Sequence, residues 1–182
     1  MARKLTLYHF TTPTNLQDIL ENGIYPFAKE DHEHMLPGCV AVWLTTDPHG
    51  NEINERHLAY WNKNGWFDLI AQHEAGRRYN FGYNDDGSVR LAVHLRGNFQ
   101  GLCPYLELMA ANYKYTAPKA LARVAALPGA SDWWVVVSPL LGETFIGIDP
   151  GAIKEISLIS EPTPASMAIF KQMGFPIPDQ PA

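Results

Sequence analysis

Several features are scarce in this 182-residue sequence: it has two cysteines, no long apolar run and no excess of basic residues. Cys39 and Cys103 are too few for a disulfide framework, so we expect two free thiols. Apolar runs such as the valines at 135–137 fall far short of the ~18 residues that a membrane-spanning helix needs. Residues 1–8 pass directly into a strand pattern rather than a signal peptide. We therefore expect a soluble cytoplasmic protein with no membrane partner.

The charge balance also excludes classes of function. The chain has 14 basic and 19 acidic side chains and a net charge of −5, which argues against non-specific binding along a nucleic-acid backbone. A local basic groove stays compatible with that balance. Arg77 and Arg78, followed by three aromatic residues, are one candidate, although paired surface arginines are more often simply solvated. At 46% hydrophobic residues the chain is too apolar for a disordered tail and suits one compact domain.

Most standard catalytic motifs are missing. The sequence has no phosphate-binding Gly-rich loop, no nucleophile elbow, no Cys-x-x-Cys pair and no His-Glu-x-x-His helix, so we do not expect the common hydrolase and nucleotide-triphosphate chemistries. His32 and His34, with Asp31, Cys39 and His49 nearby, are metal-ligating residue types. They fall in or beside a stretch at 25–38 that contains Pro and Gly and has no regular ligand spacing. We predict an exposed loop there and no metal.

The hydrophobic pattern predicts a mixed α+β domain. Residues 5–10 form a largely apolar strand. Thr12 is positioned to cap a helix that starts at Pro13, and Gly23 fits the helix end. The other predicted elements are a strand at 40–45, a helix near 52–63, a strand at 89–95 with one solvated face, helices within 104–126 broken at Pro118, strands at 133–138 and 153–159, and a C-terminal helix at 164–173 that packs back on the body.

Two short motifs point to a family. The first is Tyr8-His9-Phe10-Thr11 at the end of the first strand, followed directly by a helix that ends in glycine. The second is Val42-Trp43-Leu44-Thr45-Thr46, a strand that ends in two hydroxyl residues. Together they resemble the ADP-ribosyltransferase superfamily, most closely the opening of the DNA thymidine ADP-ribosyltransferase toxins and of the RNA 2′-phosphotransferases.

The resemblance implies a fold and a ligand. The fold is a single domain over 1–182 with a split β-sheet core and flanking helices, in which the variable region 50–87 recognises the acceptor and 162–182 forms a C-terminal helix and tail. The ligand is NAD, as substrate and without a metal. A strand-end histidine can hydrogen-bond a ribose hydroxyl through a fixed ring nitrogen, and an adjacent hydroxyl can hold the neighbouring group. The implied NAD-binding residues are His9, Thr11, Asn15, Thr45, Thr46 and Tyr60, with Trp61 as the alternative to Tyr60 for stacking on a ring.

The third motif of that superfamily is a glutamate near the start of a late strand, which stabilises the cationic ribose as nicotinamide leaves. Here the matching stretch is 130–137, and its carboxylate is Asp132, which is one methylene shorter. Asp132 and His9 are therefore the implied catalytic residues. Glu143 and Glu155 are the other candidates for the carboxylate. A displacement of about 1 Å in a catalytic group can lower the rate on the order of 10²-fold, so the shorter side chain matters.

Three functional hypotheses follow from the resemblance. The first is an NAD-dependent mono-ADP-ribosyltransferase that modifies a macromolecule, as in a toxin or in conflict between a phage and its host, with NAD hydrolysis as a variant of the same chemistry. The second is an inactive binding or inhibitor protein on the same fold, which the aspartate favours. The third is an RNA 2′-phosphotransferase, which needs several basic groups; Arg77, Arg78 and Arg90 are the only ones that suggest it.

Overall fold

A computed structural model describes residues 2–26, 39–50, 55–74, 89–113, 118–139, 144–159 and 164–174. The strands are β1 (Lys4–Thr11), β2 (Cys39–Thr45), β3 (Val89–Arg96), β4 (Leu102–Pro104), β5 (Trp133–Pro139) and β6 (Ile153–Leu158). The helices are α1 (Pro13–Asn22), α2 (Glu55–Asn64), α3 (Phe67–Glu74), α4 (Tyr105–Tyr113), α5 (Pro118–Ala125) and α6 (Pro164–Gln172). This mixture confirms the α+β class.

The strands form one six-stranded sheet in the order β4-β5-β2-β1-β3-β6, and every neighbouring pair is antiparallel. β1 pairs with β3 along its whole length, from Lys4 opposite Arg96 to Thr11 opposite Val89. β1 and β2, by contrast, share the single register pair Tyr8–Thr45. The sheet therefore consists of two well-paired halves, β4-β5-β2 and β1-β3-β6, which meet over a short stretch in the middle.

The main core lies between the sheet and helices α1 and α6. Pro13 starts α1 and Leu16 and Ile19 are buried on one face of it, as the spacing predicted. These side chains join Leu7 of β1 and Phe170 of α6 in one buried cluster, so the C-terminal helix does pack back on the body. The predicted side-chain cap is wrong: the Thr12 hydroxyl makes no capping bond. It lies 2.7 Å from the Thr14 hydroxyl instead, a local partner that competes with the cap.

A second core covers the β4-β5-β2 half. Ala41 of β2 and Val135 of β5 are buried there against Tyr105 and Met109 of α4. Cys39 and Cys103 pack at the margin of this core, and both are free thiols, as predicted. Partial burial raises the pKa of the Cys103 thiol, and the charge of Glu107 adds to the effect.

The structure corrects the prediction for β3. Its second face was expected to be solvated, but Ala92 is only 5% exposed and Arg90 and His94 are partly buried. This face is covered because of a contact with another strand: the Arg90 guanidinium lies over the Tyr8 ring of β1, 5.6 Å from its centroid. An alternation of apolar and charged residues cannot reveal that a charged side chain is covered by a neighbouring strand.

Other predicted elements agree with the structure, and two were missed. The helix near 52–63 is α2, and the helical stretch 104–126 is broken as expected into α4 and α5. Helix α3 and the three-residue strand β4 had no clear periodic pattern and were not predicted. The loop at 25–38, the candidate metal cluster around His32 and the Arg77-Arg78 pair lie largely or wholly outside the described residues. None of the described helices is long and apolar enough to cross a membrane.

Candidate functional site

The end of β2 and the beginning of β5 bring two of the predicted residues together. Thr45 is the register partner of Trp133, so the residues just beyond this pair, Thr46 and Asp132, face each other. The Thr46 backbone N–H donates a hydrogen bond to the Asp132 carbonyl oxygen at 2.9 Å. The Thr46 hydroxyl also lies 3.5 Å from Oδ1 of Asp132. The predicted carboxylate is thus held beside the predicted hydroxyl residue, although 86 positions separate them in sequence.

Thr45 shapes the turn that follows β2. Its hydroxyl is buried and accepts a hydrogen bond from the Asp47 backbone N–H at 3.0 Å. Oδ1 of Asp47 in turn accepts a hydrogen bond from the His49 backbone N–H at 2.9 Å. These two side-chain bonds replace backbone pairing where the strand ends, and they leave the O–H of Thr45 as a donor.

His9 lies on β1 beside the single register pair that joins β1 to β2. Its Nδ1 is 2.9 Å from the main-chain carbonyl oxygen of Trp43. Burial lowers the pKa of His9, and the bond to the Trp43 carbonyl opposes that shift without cancelling it. The imidazole is therefore neutral at pH 7. Because a carbonyl oxygen only accepts, Nδ1 carries the proton and Nε2 presents a lone pair.

That lone pair has no partner within the described ranges: the hydrogen bond of His9 to Trp43 is the one the structure gives this ring there. A neutral histidine with a fixed Nδ1–H is a hydrogen-bond acceptor of defined direction at Nε2. A hydroxyl of a bound ligand is the kind of group that satisfies it.

The motifs did not single out two further polar residues, Asp47 in the turn after β2 and His57 on α2. His57 of α2 is buried, and burial lowers its pKa, while the negative charge of Asp47 opposes the shift. Asp47 is thus close enough to His57 to act on it electrostatically. The sequence signal for this relationship is weak, because an aspartate before Pro48 reads as ordinary turn chemistry.

Aromatic rings pack together where α4 covers β2 and β5. The Trp43 ring lies 4.8 Å from the Tyr105 ring and makes an edge-on contact with Trp133 at 5.9 Å. Tyr105 and Trp133 are 5.6 Å apart, centroid to centroid. This triad stiffens the ends of β2 and β5 and so supports the backbone that carries Thr45, Thr46 and Asp132.

The remaining predicted NAD-binding residues are placed elsewhere. Thr11 is buried at the end of β1, opposite Val89. Asn15 is exposed on the first turn of α1. Tyr60 lies on α2, where its ring meets Trp66 edge-on at 5.5 Å and borders a groove between α2 and α5. Across the described stretches, no hydrogen bond or ring contact joins Asn15 or Tyr60 to the other predicted site residues.

The alternative carboxylate Glu155 is far from this junction. It lies on β6, four strand positions from β5, which is roughly 19 Å at about 4.8 Å per strand. Its side chain is 62% exposed and lies 3.6 Å from Arg90, and it accepts a hydrogen bond from the Ser157 hydroxyl at 2.9 Å. Glu143 lies outside the described residues. Of the two candidates that the structure describes, Asp132 is the one that contacts Thr46.

Comparison with known proteins does not identify a family for this chain. No protein-family model and no curated protein sequence matches this chain. Among the residues that the structure describes, no group of three or more His, Cys, Asp or Glu side chains is arranged to hold a metal ion. The function has to be argued from the junction of β1, β2 and β5, which we call the strand-end site and define by His9, Thr45, Thr46 and Asp132.

Proposed function

We propose that the strand-end site binds NAD and supports transfer of ADP-ribose to a macromolecular acceptor, on an ADP-ribosyltransferase-like split sheet. The observation that carries the proposal is the placement of Asp132 against Thr46. Thr46 follows β2, the strand next to the one that carries His9, and Asp132 precedes β5, one strand further away. The proposal needs a directed acceptor, hydroxyl donors and a carboxylate on these neighbouring strands, and His9, Thr45, Thr46 and Asp132 would supply them. The motifs that resemble the superfamily supply these same residues.

His9 would bind the ribose of NAD. Its Nε2 lone pair accepts a hydrogen bond from a ribose hydroxyl, while Nδ1–H remains bonded to the Trp43 carbonyl. A ring held on one side by a backbone bond loses little freedom when a ligand binds on the other side, so the orientation of the ribose is fixed at low entropic cost.

Asp132 would act on the ribose carbon. In the transfer, the bond between ribose C1′ and the nicotinamide nitrogen breaks, and its electron pair leaves with nicotinamide. The positive charge that develops on the ribose is stabilised by the Asp132 carboxylate. A nucleophilic oxygen or nitrogen of the acceptor then forms a bond to C1′ and loses its proton to solvent. Water as the nucleophile gives NAD hydrolysis by the same steps.

Asp132 suits this role because its main chain is held in place while its carboxylate forms only weak hydrogen bonds. The Thr46 hydroxyl and the Ser131 hydroxyl both lie 3.5 Å from its oxygens, which is at the long limit for a hydrogen bond. Its main chain is held firmly by Thr46. The carboxylate therefore keeps capacity for a stronger partner, and a cationic ribose is such a partner.

The experiment that tests the proposal follows the adenylate half of NAD. Purified protein is incubated with NAD labelled in the adenylate phosphate, with and without cell lysate, and the label in the macromolecular fraction is counted. Transfer that needs lysate, and that Asp132→Asn abolishes, supports the transferase. Label that stays in free ADP-ribose without lysate identifies a hydrolase. No consumption of NAD by folded protein overturns the proposal and leaves an inactive binding protein on this scaffold.

A further inference from the structure

A groove runs between helices α2 and α5. Its volume is about 490 Å³, and its lining residues are Ala59, Tyr60, Lys63, Asn64, Ala122, Arg123 and Ala126. Small-molecule sites typically measure about 300–1,000 Å³, so the groove is large enough for a ligand. None of the seven lining residues belongs to the strand-end site.

The groove is basic in an acidic protein. Lys63 of α2 and Arg123 of α5 both line it, and none of the described residues that line it is a carboxylate, although the chain as a whole carries a net charge of −5. Neither cation forms an ion pair with another residue in the described ranges. Two like charges that face one cavity repel each other, and a bound anion removes that repulsion.

The groove also presents an aromatic ring in a fixed orientation. Tyr60 is held edge-on by Trp66 at 5.5 Å, which leaves a ring face for stacking. Ala59, Ala122 and Ala126 are small and leave room beside it. Asn64 donates one amide hydrogen to the Tyr60 carbonyl at 2.7 Å and retains its carbonyl oxygen and a second N–H. Ring, amide and cations are the groups that recognise a base and a phosphate together.

We propose that this groove is a binding site for a free mononucleotide, with the phosphate between Lys63 and Arg123 and the base against Tyr60. Two cations match the charge of one phosphate group. A nucleic-acid strand carries one charge per nucleotide, so it needs a longer basic track, and the net charge of −5 opposes a polyanion. The proposal does not depend on NAD chemistry at the strand-end site.

Isothermal titration of the full chain with AMP and UMP tests the site, beside adenosine and inorganic phosphate. We expect both nucleotides to bind, and adenosine and phosphate each to bind about tenfold or more weakly, because each fills half of the groove. AMP that binds no better than phosphate, or folded protein that binds neither nucleotide, overturns the proposal. Binding of hexathymidylate that is more than about tenfold tighter than binding of TMP also overturns the proposal, because it would identify the ligand as a single-stranded nucleic acid.

Variants locate the site. The double variant Lys63→Glu with Arg123→Glu is expected to weaken AMP binding by about tenfold or more. Lys171→Glu reverses the charge of another exposed helix lysine, on α6, and is expected to leave the affinity within about twofold. If the charge reversal unfolds the protein, the double variant Lys63→Gln with Arg123→Gln takes its place in the titration. Unchanged AMP affinity in both double variants contradicts the assignment.

Discussion

Thr46 and Asp132 are joined main chain to main chain: the Thr46 N–H donates to the Asp132 carbonyl at 2.9 Å. This bond lies just beyond the last register pair of β2 and β5, so it continues the ladder past the strand ends. The position of the Asp132 carboxylate then depends only on the rotation of its own short side chain. The second and third sequence motifs, which carry Thr46 and Asp132, are therefore in direct contact.

The hydrogen bond from His9 to Trp43 leads to a prediction with two matched variants. His9→Asn places an amide nitrogen near the position of Nδ1, so it keeps the donor to Trp43 but lacks Nε2. His9→Ala loses both groups. We expect His9→Asn to weaken NAD binding by about tenfold, the worth of one good hydrogen bond, with little change in stability. His9→Ala should also lower the free energy of unfolding by about 1–3 kcal/mol, because the Trp43 carbonyl loses its partner.

Calorimetric NAD titration and urea unfolding measure these two effects separately. Equal NAD affinity in the wild-type protein and the Asn variant would show that Nε2 of His9 does not bind NAD.

The buried histidines make stability depend on pH. Burial lowers the pKa of His9 below its ordinary value of 6.5 in the folded protein, so the unfolded chain binds the proton more readily. The contribution of neutral His9 to the free energy of unfolding is therefore complete above about pH 6.5. It is lost as the pH falls from there toward the lowered pKa of the folded state. His57 acts in the same direction.

Urea unfolding at pH 7.5 and at pH 5.5 measures this dependence. We expect lower stability at pH 5.5, and a smaller difference between the two pH values in His9→Asn than in the wild-type protein. The same difference in both proteins would show that His9 does not titrate in this way.

Gly101 and Gly174 form a matched pair for testing the packing of the β4-β5 edge. Both have φ of +76°, so alanine is strained at either position by about 1 kcal/mol or more. A Cβ at Gly101 would also lie 2.5 Å from the Val137 carbonyl oxygen, whereas a Cβ at Gly174 meets nothing within 4 Å.

We expect Gly101→Ala to be more destabilising than Gly174→Ala by about 2 kcal/mol or more, measured by urea unfolding. Equal losses in the two variants would mean that β4 does not pack against β5 as described.

Arg90 connects β3 to the turn after β2. Its Nη1 donates to the Pro48 carbonyl at 3.2 Å, and its guanidinium lies over Tyr8. We expect Arg90→Lys to loosen the turn, because an ammonium cannot keep the guanidinium's flat contact with Tyr8 and its bond to Pro48 together. Hydrogen exchange of the Gly50 amide, which donates to the Asp47 carbonyl at 3.1 Å, should become faster by about fivefold or more.

Glu155→Gln is the control for Arg90. It removes the charge on the exposed partner and leaves the bond to Pro48 intact, so the exchange of the Gly50 amide should not change. Acceleration in this variant as well would assign the effect to the ion pair rather than to the turn.

Local patterns predicted the elements that a few neighbouring residues determine. Helix α1 follows from the spacing of Leu16 and Ile19 and from Gly23, where φ is +100° and a Cβ would collide with the Ile148 carbonyl. Strand β4 was missed because three residues carry no periodic signal. The buried second face of β3 was missed because Arg90 is covered by Tyr8 of another strand, which the pattern within β3 does not contain.

In the candidate site too, the sequence predicted the local features and missed those that depend on contacts between distant residues. The residue types at His9, Thr46 and Asp132 were visible in the sequence, but the contact of Thr46 with Asp132 depends on the pairing of β2 with β5, and the contact of His9 with Trp43 depends on the pairing of β1 with β2. Those pairings are non-local, and their register is set by which faces are buried. The protonation of His9 depends on a carbonyl 34 positions away. The groove between α2 and α5 had no sequence signal, since Lys63 and Arg123 look like ordinary solvated charges.

Release of free nicotinamide from NAD tests the account most directly. It is measured for the wild-type protein and for Asp132→Asn, each with and without lysate. Asp132→Asn removes the charge with almost no change in shape. We predict release by the wild-type protein and a rate about 10²-fold lower in the Asn variant, with both proteins equally stable. No release by folded wild-type protein, or an equal rate in the variant, would contradict the claim that the strand-end site performs NAD chemistry.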